Sequence, residues 1–319
     1  MIKDSILAII HRPCFNDIAD AWLSRVMNTH KKTTYDKYQG ICRKYIFPFT
    51  EGLEYRKIKN ETLKSLYIKK IEPLSLSRSS SVQSSIVTVL NQIICYTNEM
   101  YDMNLNKIRL NRPRSCPSPV EVFSKDEQKD LVRYLHENID PTKLGVYICI
   151  STGLRLGEIC ALKWEDIDLS QHTISINKSV HRVNTEKESR KTKLITSSPK
   201  SKSSKRIIPI SDELLSLLMK QDNKEGYLLN PLKPTDPRTF ENRYGKILND
   251  IGISHKKFHV LRHTFATNCI YNGMDAKSLS EILGHSSVQI TLNRYVHPSM
   301  EQKRSQLNAL SALYAGYCA

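Results

Sequence analysis

Apolar residues along this chain are spaced for helices over most of its length. Between residues 15 and 104, Ile18, Trp22 and Val26 recur at every fourth position, the spacing that lines up side chains on one helical stripe. Thr33 and Thr34 open a second segment in which Tyr38, Ile41, Cys42 and Tyr45 share a side, and Pro48 is expected to stop it. Asn60-Glu61-Thr62-Leu63 reads as a third helix start, running to about Ile71. Pro73 and the serine cluster from Ser75 to Ser81 predict a loop, and from Val82 a fourth helix carries Ile86, Val89, Leu90, Ile93, Ile94 and Thr97. The pattern predicts a four-helix module with basic residues between its apolar positions.

That pattern breaks where Pro113, Pro117 and Pro119 fall close together beside Arg112 and Arg114, a composition for an extended linker. The expected division is a helical domain over residues 13–110, a linker over 111–121, and a second domain over 122–319. In the second domain the period changes repeatedly. Ser124 caps a helix reaching about Asn138, and residues 144–151 predict a buried helix. Thr173-Ile174-Ser175-Ile176 alternates as a strand. Residues 181–204, rich in Lys, Ser and Thr, predict a long exposed hairpin or loop. Residues 206–210 form a second strand, and helices resume from Ser211. The expected fold class is mostly α with a small antiparallel β-sheet, without internal repeats.

Length and composition agree with two folded domains: 319 residues, 39% hydrophobic and 25% charged. No run of 18 apolar residues exists, so no transmembrane helix is expected. The N-terminal residues make a poor secretory signal, and the expectation is a cytoplasmic protein. The eight cysteines are scattered without Cys-x-x-Cys, which predicts reduced, mostly buried thiols. Charge changes the picture more. The net of +16, from 48 Lys+Arg against 32 Asp+Glu, argues for a polyanionic partner, nucleic acid ahead of an acidic membrane. The excess is +8 up to Glu121 and +8 beyond it, so both halves are basic, as in a clamp closing on DNA from two sides.

Four segments carry candidate chemistry. In Thr152-Gly153-Leu154-Arg155-Leu156-Gly157-Glu158, Gly153 permits a tight turn into a helix, and Arg155 and Glu158 are spaced to pair. A charge among apolar and small residues is costly unless used. In Phe258-His259-Val260-Leu261-Arg262-His263, His259 and Arg262 share a helical face, and a guanidinium fork suits phosphate oxygens. The same segment has a metal reading, because His259 and His263 are four apart, but it lacks the glutamate of His-Glu-x-x-His and an evident third ligand. The third segment runs from Leu279 through Gly284, His285, Ser286 and Ser287 to Tyr295. It reads equally as a helix-turn-helix DNA reader or as the carrier of a nucleophilic tyrosine. The fourth, Pro199-Lys200-Ser201-Lys202-Ser203-Ser204-Lys205-Arg206, is a weak pattern on its own. Together, two arginines, two histidines, a lysine and a tyrosine suit metal-free phosphodiester cleavage. The guanidiniums hold the charge of the transition state, a histidine helps the phenolic proton, and a lysine protonates the leaving oxygen.

In order and spacing these motifs resemble the tyrosine site-specific recombinase, or phage integrase, family. The matching residues are Thr152 to Glu158, His259-x-x-Arg262, Leu283-Gly284-His285-Ser286-Ser287, and Tyr295 within Asn293-Arg294-Tyr295-Val296-His297. The resemblance implies a core-binding, SAM-like helical domain followed by a mixed α/β catalytic domain. It implies that Arg155 and Arg262 clamp the scissile phosphate, that His259 acts as acid/base, and that His285 supports the transition state. Glu158 would act beside Arg155. Tyr295 would form a 3′-phosphotyrosyl link and release a 5′-hydroxyl, and Lys200 would be the general acid, with Lys202 and Lys205 as competitors. It further implies double-stranded DNA as partner, a homo-tetramer on synapsed sites, accessory DNA-bending or directionality proteins, and no metal, ATP or other cofactor. The short stretch before Phe15 resembles two-domain members, such as Xer-like or mobile-element integrases. The C-terminal residues Leu307, Leu310, Leu313 and Tyr314, at helical spacing, would dock on a neighbouring subunit or pack on their own chain.

Overall fold

The computed structural model describes residues 13–73, 80–109, 120–185, 192–198, 204–296 and 300–317. It is mostly helical with a small antiparallel sheet. The chain divides into two compact units, residues 1–115 with 183–186, and the remainder.

In the first unit, α1 (Phe15–Thr29) buries Phe15, Ile18, Ala19, Trp22, Leu23 and Val26 on one stripe. They meet Ile41, Cys42 and Ile46 from α2 (Lys32–Ile41) and the π-helical turn after it (Cys42–Ile46). Pro48 does not stop this run. It lies in the first turn of a new short helix, α3 (Phe47–Thr50), where a missing backbone N–H leaves no bond unmade. The run ends instead at Thr50, whose buried hydroxyl donates to the Ile46 carbonyl at 3.0 Å. The third predicted helix is α4 (Asn60–Leu66) continued by a second π turn (Tyr67–Ile71). The fourth, α5 (Ser80–Tyr101), closes the core with Ile86, Val89, Leu90, Ile93 and Ile94, all fully buried.

The second unit is organised around α7 (Pro141–Thr152), which comes after α6 (Lys125–His136). Ser124 and Glu127 form a reciprocal cap on α6, the Ser124 hydroxyl accepting from the Glu127 N–H and the Glu127 carboxylate from the Ser124 N–H. α7 buries residues on all sides, from Leu144 to Cys149, so it forms the centre of the core. It ends at Gly153, whose φ of +69° favours glycine, and a Cβ there would come within 2.6 Å of Phe265 and 2.7 Å of Leu283. After the short α8 (Leu156–Ile159), strands β1 (Ile167–Asp168), β2 (Thr173–Ile176) and β5 (Arg206–Pro209) form an antiparallel sheet in the order β1-β2-β5. β3 (Ser179–Asn184) and β4 (Thr192–Ser197) pair as a separate two-stranded sheet, and residues 186–191 and 199–203 of the polar stretch lie outside the described residues.

The register of the sheet turns an arginine toward the core. Ile174 faces Ile208, and Ile176 faces Arg206. Two-residue alternation therefore puts Arg206 on the same inward face as buried Ile208, while Ile207 points out and is 66% exposed. The remaining helices are α9 (Asp212–Met219), α10 (Pro237–Asp250), α11 (His259–Tyr271), α12 (Ala276–Leu283), α13 (Val288–Tyr295) and α14 (Met300–Tyr317). α12 ends at Gly284, again left-handed with φ +64°, and Ser287 caps α13 by accepting from the Gln289 N–H. α14 exposes Leu307, Leu310 and Tyr314. No helix among the described residues is long and apolar enough to cross a membrane.

Candidate active site

Four pieces of the second unit converge: the turn after α7, the first turns of α11, the turn after α12, and the end of α13. Arg155 stands at the start of α8. Its backbone N–H and its Nη1 both donate to Glu158, at 2.9 and 2.8 Å, and its Nη2 donates to the Gly284 carbonyl at 3.1 Å. Arg262, one turn into α11 and only 2% exposed, donates from Nη1 to the Gly153 carbonyl and from Nη2 to the Leu283 carbonyl, both at 2.8 Å. Each arginine is thus fixed by the carbonyls that the two helix C-termini leave unpaired. A guanidinium has five N–H donors, and these bonds leave others on each group for an anion.

Glu158 binds a second arginine as well. Arg206 donates from Nη1 and Nη2 to its two carboxylate oxygens at 3.0 and 2.9 Å, and from Nε to the Ile282 carbonyl at 2.5 Å. Both side chains of this pair are almost fully buried. Burial alone would raise the Glu158 carboxyl, but hydrogen bonds and charge from Arg206, with the charge of Arg155, pull it from 4.5 down to about 2. Burial and the positive charges of Arg155 and Arg206 push Arg262 down as well, from 12.5 to about 9, with Glu158 opposing them. Among the described residues, Arg155, Arg206 and Arg262 act on one another with Glu158 as the acidic partner between them, so positive charge is in excess here.

Tyr295 is the last residue of α13 and is 7% exposed, packed with Ala266, Leu279 and Leu283. Thr291 and Tyr295 face inward on α13, while Gln289, Ile290, Leu292, Asn293 and Arg294 are exposed on its other side. The Tyr295 hydroxyl lies 2.8 Å from Nδ1 of His263. Burial raises its pKa, opposed by Arg262, Arg294 and Arg155, so the resting group is a neutral phenol. His285 sits in the turn before α13, its Nδ1 2.8 Å from Thr291 Oγ1, with its ring parallel to Tyr295 at 6.4 Å. His259 is exposed at the mouth and packs edge-on against His263, ring centroids 4.4 Å apart.

All three imidazoles are driven from 6.5 down to about 4, chiefly by desolvation. Arg262, Arg294 and Arg155 add to the shift at His259 and His285; His259, Arg294 and Arg262 add to it at His263. They are neutral near pH 7. An imidazole held below its unfolded value binds fewer protons folded than unfolded, between its two pKa values. The stability of this unit is therefore complete above about pH 6.5 and declines toward 4. Thermal melting is expected to drop by on the order of 5 °C between pH 7 and 5; a melting temperature that stays level or rises over that interval contradicts the assignment.

The structure brings together Arg155, Glu158, Arg262, His285 and Tyr295, with His259 at the rim. Lys200 and Lys202 lie outside the described residues; Lys205 is exposed, immediately before β5. The metal reading of His259 and His263 finds no third ligand: among the described residues no three His, Cys, Asp or Glu side chains are grouped to hold an ion. Two residues of the site were missed as site residues. Arg206 was visible only as a charge in step with Ile208 along a strand. His263 was visible as the neighbour four residues after His259, and it is His263, not His259, that reaches the tyrosine.

Residues 121–302 match the phage integrase family, and the chain belongs to it. It is a tyrosine recombinase, a DNA breaking and rejoining enzyme. A XerC-like tyrosine recombinase of Caldanaerobacter subterraneus subsp. tengcongensis is 28% identical over 329 residues, covering 93% of this chain and 83% of that protein. The ICEBs1 integrase of Bacillus subtilis is 22% identical over 317 residues, covering 94% and 83%. Transposase A from transposon Tn554 of Staphylococcus aureus is 29% identical over 215 residues; that match covers 65% of this chain and 56% of the transposase. The fold is shared with the Tn1549 transposon integrase solved in complex with transposon right end DNA, at TM-score 0.74 and 19% identity, covering 94% of this chain and 100% of that one. It is shared also with a lambda integrase tetramer bound to a Holliday junction, at TM-score 0.63 and 14% identity, covering 92% and 82%.

Proposed function

We propose that this chain recombines double-stranded DNA at specific sites, with Tyr295 as nucleophile and Arg155 and Arg262 as the clamp on the scissile phosphate. The observation that carries the reading is that two guanidiniums anchored on helix-end carbonyls lie close enough to the buried Tyr295 phenol for the charges of both to act on it. The phenolic oxygen attacks phosphorus, the bond to the 5′-oxygen breaks, and a 3′-phosphotyrosyl link and a 5′-hydroxyl result. The leaving oxygen takes its proton from a lysine, Lys200 by sequence, with Lys202 and Lys205 as competitors. The 5′-hydroxyl of a partner strand then reverses the step. The phosphoester bond is conserved in the tyrosyl link, so neither ATP nor metal is required. His285, held by Thr291, supports the transition state, and His259 acts as acid/base at the rim. Glu158 keeps Arg155 in place.

Residues 13–110 serve as the core-binding domain and 122–319 as the catalytic domain, joined by 111–121, and the basic charge shared by both halves supports a grip on DNA from two sides. Two sites held together require a homo-tetramer, and the exposed Leu307, Leu310 and Tyr314 of α14 support docking on a neighbouring subunit. Accessory DNA-bending or directionality proteins are expected, and the place of work is the cytoplasm. The experiment is strand exchange between two differently marked DNAs carrying the same fragment of the source replicon. Joined molecules with both marks are expected. Relaxation of supercoils with no exchange of marks contradicts a recombinase and leaves a type IB topoisomerase-like activity.

A further inference from the structure

We infer that His263 is a further catalytic residue, the group that accepts the phenolic proton of Tyr295 at Nδ1 as the tyrosyl oxygen attacks phosphorus. The inference rests on the reading of Tyr295 as nucleophile. Its basis is geometric. His263 lies on α11 four residues after His259 and one after Arg262, so the helix that holds the clamp also fixes the imidazole. The ring is 9% exposed, and its Nδ1 is 2.8 Å from the Tyr295 oxygen. That distance is within the range of direct proton transfer. His259 is in contact with the His263 ring rather than with the tyrosine, and the Nδ1 of His285 is already engaged by Thr291.

Electrostatics set the timing. Desolvation and the surrounding charges of Arg294 and Arg262, together with neighbouring His259 and His285, keep His263 neutral at rest. A neutral ring whose Nδ1 accepts from the phenol carries its own proton on Nε2. When DNA enters, the phosphate brings negative charge among these arginines, and the pentacoordinate transition state brings more. That charge cancels the field that depressed the imidazole and raises its basicity as the phenol must lose its proton. In the forward step the Tyr295 oxygen bonds to phosphorus, its proton passes to Nδ1, and the bond to the 5′-oxygen breaks, that oxygen being protonated by the lysine or water. In rejoining, the 5′-hydroxyl gives its proton back to the lysine or water as its oxygen bonds to phosphorus, and the displaced tyrosyl oxygen recovers its proton from the imidazolium.

His263→Gln keeps a polar group near the phenol but cannot take its proton. Covalent attachment is measured on the nicked source-replicon fragment that gives the wild-type covalent band. It is measured also on the same fragment with a bridging sulfur in place of the 5′-oxygen, a leaving group that needs no protonation. The variant is expected to attach about 10²-fold more slowly at neutral pH on both substrates. Its rate should climb roughly tenfold per pH unit above 7, where the wild type is level, because the tyrosine must then ionise into solvent. Folding is checked by melting, and the Tyr295 phenol is titrated by ultraviolet difference against Tyr295→Phe. A variant that is folded and attaches at the wild-type rate with a level pH profile overturns the inference. So does a defect that vanishes on the sulfur substrate, which assigns His263 to the leaving group. No Tyr295-dependent band from the wild type overturns the nucleophile reading itself, and the two failures are thereby distinct.

Discussion

Glu158→Ala is expected to be the most destabilising single change in the second unit. The carboxylate is 4% exposed; it accepts from the Arg155 guanidinium with one oxygen and from the Arg155 backbone N–H with the other, and from Arg206 with both. Its removal leaves Arg206 as an uncompensated charge on the inward face of the sheet, next to Ile208 in the core. Breaking a buried pair in this way costs about 3–5 kcal/mol, on the order of 10 °C in melting temperature for a unit of this size. Activity should fall as well, because Arg155 loses the partner that aims it. The effect has a pH signature. Glu158 is held at about 2 against an ordinary 4.5, so the folded state binds fewer protons between those values. Its contribution is complete above about pH 5 and is lost as pH falls toward 2. The difference in stability between wild type and Glu158→Ala should therefore shrink over that acid range. Melting curves check this; a variant that melts with the wild type at neutral pH contradicts it.

Arg262→Lys is expected to give a large loss of rate although the positive charge is kept. A lysine keeps the cation but cannot donate as a planar fork to the Gly153 and Leu283 carbonyls at once. One carbonyl is left unpaired in a buried place, at a cost of about 1–3 kcal/mol. The larger consequence is at the phosphate, where a preorganised donor set is replaced by a single mobile point charge. Loss of one such donor typically lowers the chemical step by about 10²–10³-fold. DNA binding, carried by many basic residues on both halves, should change little. Single-turnover attachment beside a binding titration separates the two; equal losses in both contradict the assignment of Arg262 to the reacting phosphate.

Much of the fold was legible because its signals are local. Ile18, Trp22 and Val26 mark a stripe, Thr173 to Ile176 alternate, and Gly284 ends a helix where its positive φ is needed, while Gly153, read as the entry to the next helix, also ends the one before it. Pro48 misled because proline stops a helix in its interior but not in its first turn. The candidate site was legible as a set of motifs, since chemistry demands particular residue types at particular spacings. What could not be read was which histidine meets the tyrosine. His259 and His263 share one face of α11, and only the approach of α13 selects between them. Arg206 was hidden for a related reason. Its partner Glu158 is 48 residues away, and only the strand register turns it inward.

Covalent trapping tests the central claim most directly. The protein is incubated with nicked fragments of the source replicon in chelator, denatured in SDS, and examined for protein-bound DNA, with Tyr295→Phe in parallel. A band that survives SDS and chelator in the wild type and is absent from the variant is the predicted result, since the variant keeps the fold and the arginines and lacks only the attacking oxygen. A band of equal strength in Tyr295→Phe, or DNA binding by the wild type with no band at all, contradicts it.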